Sequence, residues 1–93
     1  MQTYKLETVI SNIRRIEGFD VLVLTPDGRK VRKDRTGFHT YCFDRKAKDS
    51  YTVAEWKQVR FNSQFAGYEC DVLDGNGEPV SGHMTLKKLR ATY

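Results

Sequence analysis

The sequence predicts a small α+β domain, mainly an antiparallel sheet of about five strands with two helices packed on one face, in the order αβββαββ. Three observations carry this expectation. Thr25-Pro26-Asp27-Gly28 and Asp74-Gly75-Asn76-Gly77 each close a hairpin between apolar runs, because proline and glycine supply the backbone angles such a turn demands. The segments around these turns align without a gap 49 residues apart, Phe19 on Tyr68 and Gly28 on Gly77. Upstream of each hairpin lies a stretch with helical periodicity, so an internal αββ pseudo-repeat is weighed against convergence on a common turn.

Between Tyr4 and Glu17, Leu6, Val9, Ile10, Ile13 and Ile16 recur at spacings of three and four, and Gly18 stands where a helix would end. The following strand is apolar on both faces, Val21 and Val23 against Leu22 and Leu24, which predicts an interior position in the sheet. A type I turn closing on a left-handed glycine sets Val23 opposite Val31 and Val72 opposite Val80, giving two buried cross-strand pairs. Arg29 to Arg35 reads as the return strand. Gly37 to Phe43 reads as a third, with Phe38, Thr40 and Cys42 on one side and His39, Tyr41 and Phe43 on the other. Asp44 to Ser50 is a polar connection. Thr52-Val53-Ala54-Glu55 is a capping box, predicting a helix from Val53 to about Asn62. Its buried stripe is expected to hold Val53, Trp56 and Val59 or Arg60, continued by Phe61 and Phe65. The stretch from Met84 to Tyr93 fits an extension of the last strand or a short helix equally well.

Ninety-three residues without a composition break predict one domain, 1–93. The first residues lack the apolar core of a signal peptide and no run reaches membrane-spanning length, so a cytoplasmic protein is expected. In that reducing setting Cys42 and Cys70 are expected to be buried thiols rather than a disulfide.

Catalytic and metal chemistry find little support. His39, Cys42, Cys70 and His83 supply zinc-ligating atoms without the close paired spacing of a zinc module. No glycine-rich elbow accompanies either cysteine. The stretch from Asp74 has Pro79 where a calcium loop has its glycine and Thr85 where it has its bidentate glutamate. The phosphate-loop glycines and lysine are absent as well. The expectation is a non-enzymatic protein with no cofactor and no metal.

Charge is the remaining signal. The net charge of +4 is ordinary, but its distribution is not. Arg29, Lys30, Arg32, Lys33 and Arg35 crowd one strand, Arg45, Lys46 and Lys48 follow in the next connection, and Lys87, Lys88 and Arg90 form a third group. On an extended strand Lys30 and Arg32 share one face while Arg29, Lys33 and Arg35 share the other. Such a surface can line a phosphate backbone, with His39, Tyr41 or Phe43 stacking on an unpaired base. The bland alternative is a solvated edge strand whose cations discourage edge-to-edge pairing. The competing functional reading is a protein-interaction module, such as a small adaptor or an inhibitor of a larger host or mobile-element enzyme. Tyr4, Tyr51, Tyr93, Arg60 and Arg90 are its candidate anchors. Convergence of the basic segments favours nucleic acid, and dispersal favours a protein partner.

Overall fold

Helix α1 spans Leu6–Glu17 in a computed structural model that describes residues 2–93. It buries Leu6, Val9 and Ile13, half-buries Ile10 and Ile16, and ends on Gly18 at φ 87°, a left-handed cap that glycine adopts without strain. Its N-cap residue is Lys5, which has no side-chain oxygen to offer the first-turn amides. Main-chain carbonyls take that role: Arg35 O accepts from Leu6 N and Lys33 O from Glu7 N, both at 2.9 Å.

This capping overturns the expected sheet of about five strands with two helices. Among the described residues the sheet has two strands, β1 (Asp20–Leu24) and β2 (Glu69–Leu73), paired antiparallel, and there are three helices: α1, α2 (residues 53–64) and α3 (Leu86–Arg90). The return segment after β1 meets it at a single bridge, Leu24 with Lys30, then turns at Arg32–Arg35 to deliver its carbonyls to α1. A carbonyl spent on a helix amide is unavailable to a ladder, so no second strand propagates. The return segment after β2 behaves alike: Leu73 bridges Pro79, and Met84 O and Gly82 O accept from Val53 N and Ala54 N at the start of α2. Residues 37–43 form no strand either. Their one β-bridge joins Phe38 to Tyr4, and they bury Phe38 and Tyr41 at a spacing of three rather than alternating.

What recurs is a helix, a strand, a turn and a one-bridge arm. In the first turn Gly28 N donates to Thr25 O and Val31 N to Val23 O; in the second Gly77 N donates to Asp74 O and Val80 N to Val72 O, each at matching distance. A shift of 49 residues carries Leu22 onto Asp71, and these two are register partners in the sheet. A local twofold axis therefore passes through the Leu22–Asp71 pair, with the arms on opposite outer edges. Val23, Val31 and Val72 are buried and Val80 is half-buried.

The capping box at Thr52 and Glu55 forms, and α2 starts as an α-helix at Val53–Trp56 before widening into a π-helical stretch, Lys57–Phe61. On a regular α-helix, residues five apart point roughly 140° from one another. The wider turn brings Trp56 and Phe61 into one core. Phe19 packs edge-to-face on Trp56 at 5.0 Å and Phe61 against Phe65 at 5.1 Å. Of the two residues expected to continue the stripe, Val59 is 51% exposed, whereas Arg60 turns inward to Glu17. Within residues 84–93 the chain forms a short helix at Leu86–Arg90: the Thr85 hydroxyl accepts from Lys88 N, and Leu86 and Leu89 are fully buried. The cysteines differ from expectation, since Cys70 is buried opposite Val23 and Cys42 is exposed.

Candidate phosphate-binding surface

The eight predicted cations divide into separate groups. Arg29, Lys30, Arg32 and Arg35 are exposed and line one open groove of about 520 Å³ with Thr25, Asp34 and Thr36. The division into two faces expected of an extended strand is lost because the chain turns at Arg32. Lys33 lines a different hollow, of about 500 Å³, bordered by Arg14 and Arg15 of α1 and by Glu7 and Asp20, the last paired with Arg14 at 2.9 Å. Capping creates that adjacency, since Glu7 N binds Lys33 O. Sequence reasoning missed Arg14 and Arg15; their signal was the polar face of α1, and nothing local tied that face to the arm.

Counter-charges on the arm are few. Asp27 pairs with Arg29 at 3.2 Å and Asp34 with Arg32 at 3.1 Å, both arginines being 84% exposed, so these pairs are weak and easily surrendered to a stronger anion. Arg35 lies 6.0 Å above the Tyr68 ring.

Arg45, Lys46 and Lys48 are exposed but lie at the far end of α1, where Ala47 N donates to Glu17 Oε1 at 2.8 Å. The arm caps Glu7 at the other end, about 15 Å away at 1.5 Å per residue. The Asp49 carboxyl is held below its usual range chiefly by a hydrogen bond from Arg90, which outweighs the opposing effect of desolvation, with smaller help from the charges of Lys46, Arg90 and Lys87.

The connection at residues 39–50 is fastened by a buried carboxylate. Glu17 is 1% exposed and accepts from Tyr41 Oη at 2.6 Å, Ala47 N at 2.8 Å, Arg60 Nη1 at 2.7 Å and Arg90 Nη2 at 3.1 Å. Trp56 Nε1 donates to the Tyr41 hydroxyl at 3.2 Å. Burial, reinforced by the bond to Glu17, pushes the Tyr41 hydroxyl well above the ordinary tyrosine range. Every polar group of the cluster is satisfied, which is the signature of a structural hub.

Several expected contact residues are consumed by this hub. Tyr41 is buried and cannot stack on a base, and Phe43 lies under the Arg60 guanidinium at 4.4 Å. Arg60 and Arg90 are mostly buried on Glu17 and offer no interface anchor. Tyr93 is committed too: its hydroxyl accepts from Asp20 N at 2.8 Å and donates to Leu73 O, bridging two register partners. His39 remains exposed. Among the described residues no three His, Cys, Asp or Glu side chains gather as metal ligands, and no helix is long and apolar enough to cross a membrane.

The twofold axis supplies an internal comparison. Positions equivalent to Arg29, Lys30, Arg32, Lys33 and Arg35 are Glu78, Pro79, Ser81, Gly82 and Met84. The second arm makes the same turn, bridge and helix cap without one cation. No family model matches the chain, and comparison with curated proteins and with solved structures finds no match.

Proposed function

We propose that this chain is a non-enzymatic binding protein whose arm at residues 29–35 grips the phosphate backbone of nucleic acid without strong sequence preference. The observation that carries the reading is the difference between the twin arms. Glu78, Pro79, Ser81, Gly82 and Met84 meet every structural requirement of the arm, so the five cations of the first copy are not a demand of the fold. Nor are they needed to guard an edge, a task that Pro79 performs in the second copy by removing a donor. Four exposed cations along one groove, with Lys33 continuing to Arg14 and Arg15, suit a chain of phosphates rather than a single anion.

The test is equilibrium binding to labelled oligonucleotides over a series of salt concentrations. About four neutralised phosphates give a log–log salt slope near −3 to −4, and Arg32→Ala with Lys33→Ala flattens it by about two. Absence of binding at low salt, or indifference to the double substitution, overturns the reading.

One observation favours the alternative, a protein-interaction module. Arg45, Lys46 and Lys48 stand at the opposite end of α1 from the arm, and dispersed cations suit a protein partner better than a continuous phosphate track. Failure of the oligonucleotide experiment, with retention of a partner through Arg45, Lys46 and Lys48, supports it.

A further inference from the structure

The groove along the arm is lined as far as Thr36, and the next residue, Gly37, lines a second hollow. Arg35 borders the groove and also stands above the Tyr68 ring, and Tyr68 is one wall of a shallow cleft of about 290 Å³. Gly37, His39, Gln64 and Ala66 also line it. The floor is apolar: Phe38 and Phe65 are buried beneath it, and Phe38 tilts against Tyr68 at 5.2 Å. The rim is braced, because Gln64 accepts from Cys42 N at 3.1 Å and donates to Thr40 O. Gly37 adds no bulk on its side, having φ 99° and open space where a Cβ would stand.

An aromatic wall, an apolar floor and an arginine at the mouth suit a flat ring tethered to an anion. A nucleobase on its phosphate chain has that form, and only an unpaired base can leave its stack to enter. We infer that the cleft between His39 and Tyr68 seats one unpaired base while the arm holds the adjoining phosphates, so that the protein selects single-stranded nucleic acid. The inference rests on the reading of the arm as a phosphate-binding surface. It assigns to Tyr68 and His39 the stacking role that Tyr41 and Phe43, engaged elsewhere, cannot fill.

The experiment separates base from phosphate. An oligothymidylate of about 12 nucleotides, an abasic oligomer of equal length and a duplex are titrated against the whole chain at low salt. Oligothymidylate binds ~10-fold more tightly than the abasic oligomer, and Tyr68→Leu abolishes that difference while leaving abasic binding unchanged. His39→Ala narrows it in the same direction. Tyr68→Trp retains the preference, and its emission is quenched by oligothymidylate but not by the abasic oligomer. Equal binding of thymidylate and abasic oligomers, with both still weakened by Arg32→Ala and Lys33→Ala, overturns the cleft and leaves the arm standing. Quenching by the abasic oligomer also overturns it. Failure of all three ligands to bind overturns the arm and the cleft together.

Discussion

Arg90 holds Glu17 at two points, its Nε on the main-chain oxygen at 2.7 Å and its Nη2 on the carboxylate at 3.1 Å, across 73 residues of chain. One guanidinium thus satisfies a terminal carbonyl of α1 and part of a buried charge. It also binds Ala47 O at 2.8 Å and Asp49 at 2.7 Å, so α1, the 39–50 connection and α3 share a single fastening. Arg90→Met leaves the Glu17 charge with Arg60 alone and is expected to cost about 3–5 kcal/mol. Arg90→Lys does not restore the loss, because an ammonium lacks the planar fork that reaches these acceptors together. Urea denaturation monitored by Trp56 fluorescence measures both.

The two thiols are expected to differ in reactivity. Cys42 is exposed, whereas Cys70 is buried on β2 and its thiol is pushed up to about 12, chiefly by burial. A thiol reagent at neutral pH modifies one cysteine per native chain and two after unfolding. Peptide mapping places the fast site at Cys42; rapid native labelling of Cys70 contradicts the packing described.

Alkaline stability follows from the same burial. An unfolded cysteine ionises near its ordinary value of 9.0, while folded Cys70 keeps its proton to about 12. Over that interval the unfolded state holds fewer protons, so stability is complete below about pH 9 and declines as pH rises. Tyr41, also raised, steepens the decline above the ordinary tyrosine range. Cys70→Val removes the first component, and denaturation midpoints between pH 8 and about 11 read the difference.

Gly75 is expected to tolerate no side chain. A Cβ there would stand 1.8 Å from Thr92 O, and Gly75 N donates to the Thr92 hydroxyl at 2.8 Å. Gly75→Ala displaces residues 92–93 and costs about 1–3 kcal/mol. In a variant with residues 92–93 removed the same substitution is nearly neutral, and that loss of additivity in denaturation experiments is the check.

The helix α1, both turns and the capping box of α2 were legible because each is written in local chemistry: a repeat of apolar residues, a glycine at a left-handed position, a threonine three residues before a glutamate. The strands were over-read where alternation was incidental. Residues 37–43 read as a strand with two alternating faces, yet the Tyr4 bridge fixes Phe38 and the Glu17 bond fixes Tyr41, and a spacing of three results. The departure of the arm from the sheet had a faint sign in Lys5, a residue unable to cap the helix that follows it. The density of cations at residues 29–35 was visible, but their grouping was not, because it depends on the turn at Arg32 and on where Lys33 places its carbonyl. The π-helical widening that turns Arg60 toward Glu17 had no local signature at all.

The axis through Leu22 and Asp71 gives the scaffold two sockets, of which one is loaded. Transplanting Arg29, Lys30, Arg32 and Arg35 onto positions 78, 79, 81 and 84 keeps the turn, bridge and helix cap that both arms share, whereas Gly82 stays, because a Cβ there would stand 3.2 Å from Ala54 Cβ. On the proposed reading of the arm, the product would be a bivalent protein with cationic arms on opposite edges of one sheet. Its avidity for a long strand, compared with that of a short one, would measure how far apart the two sockets face.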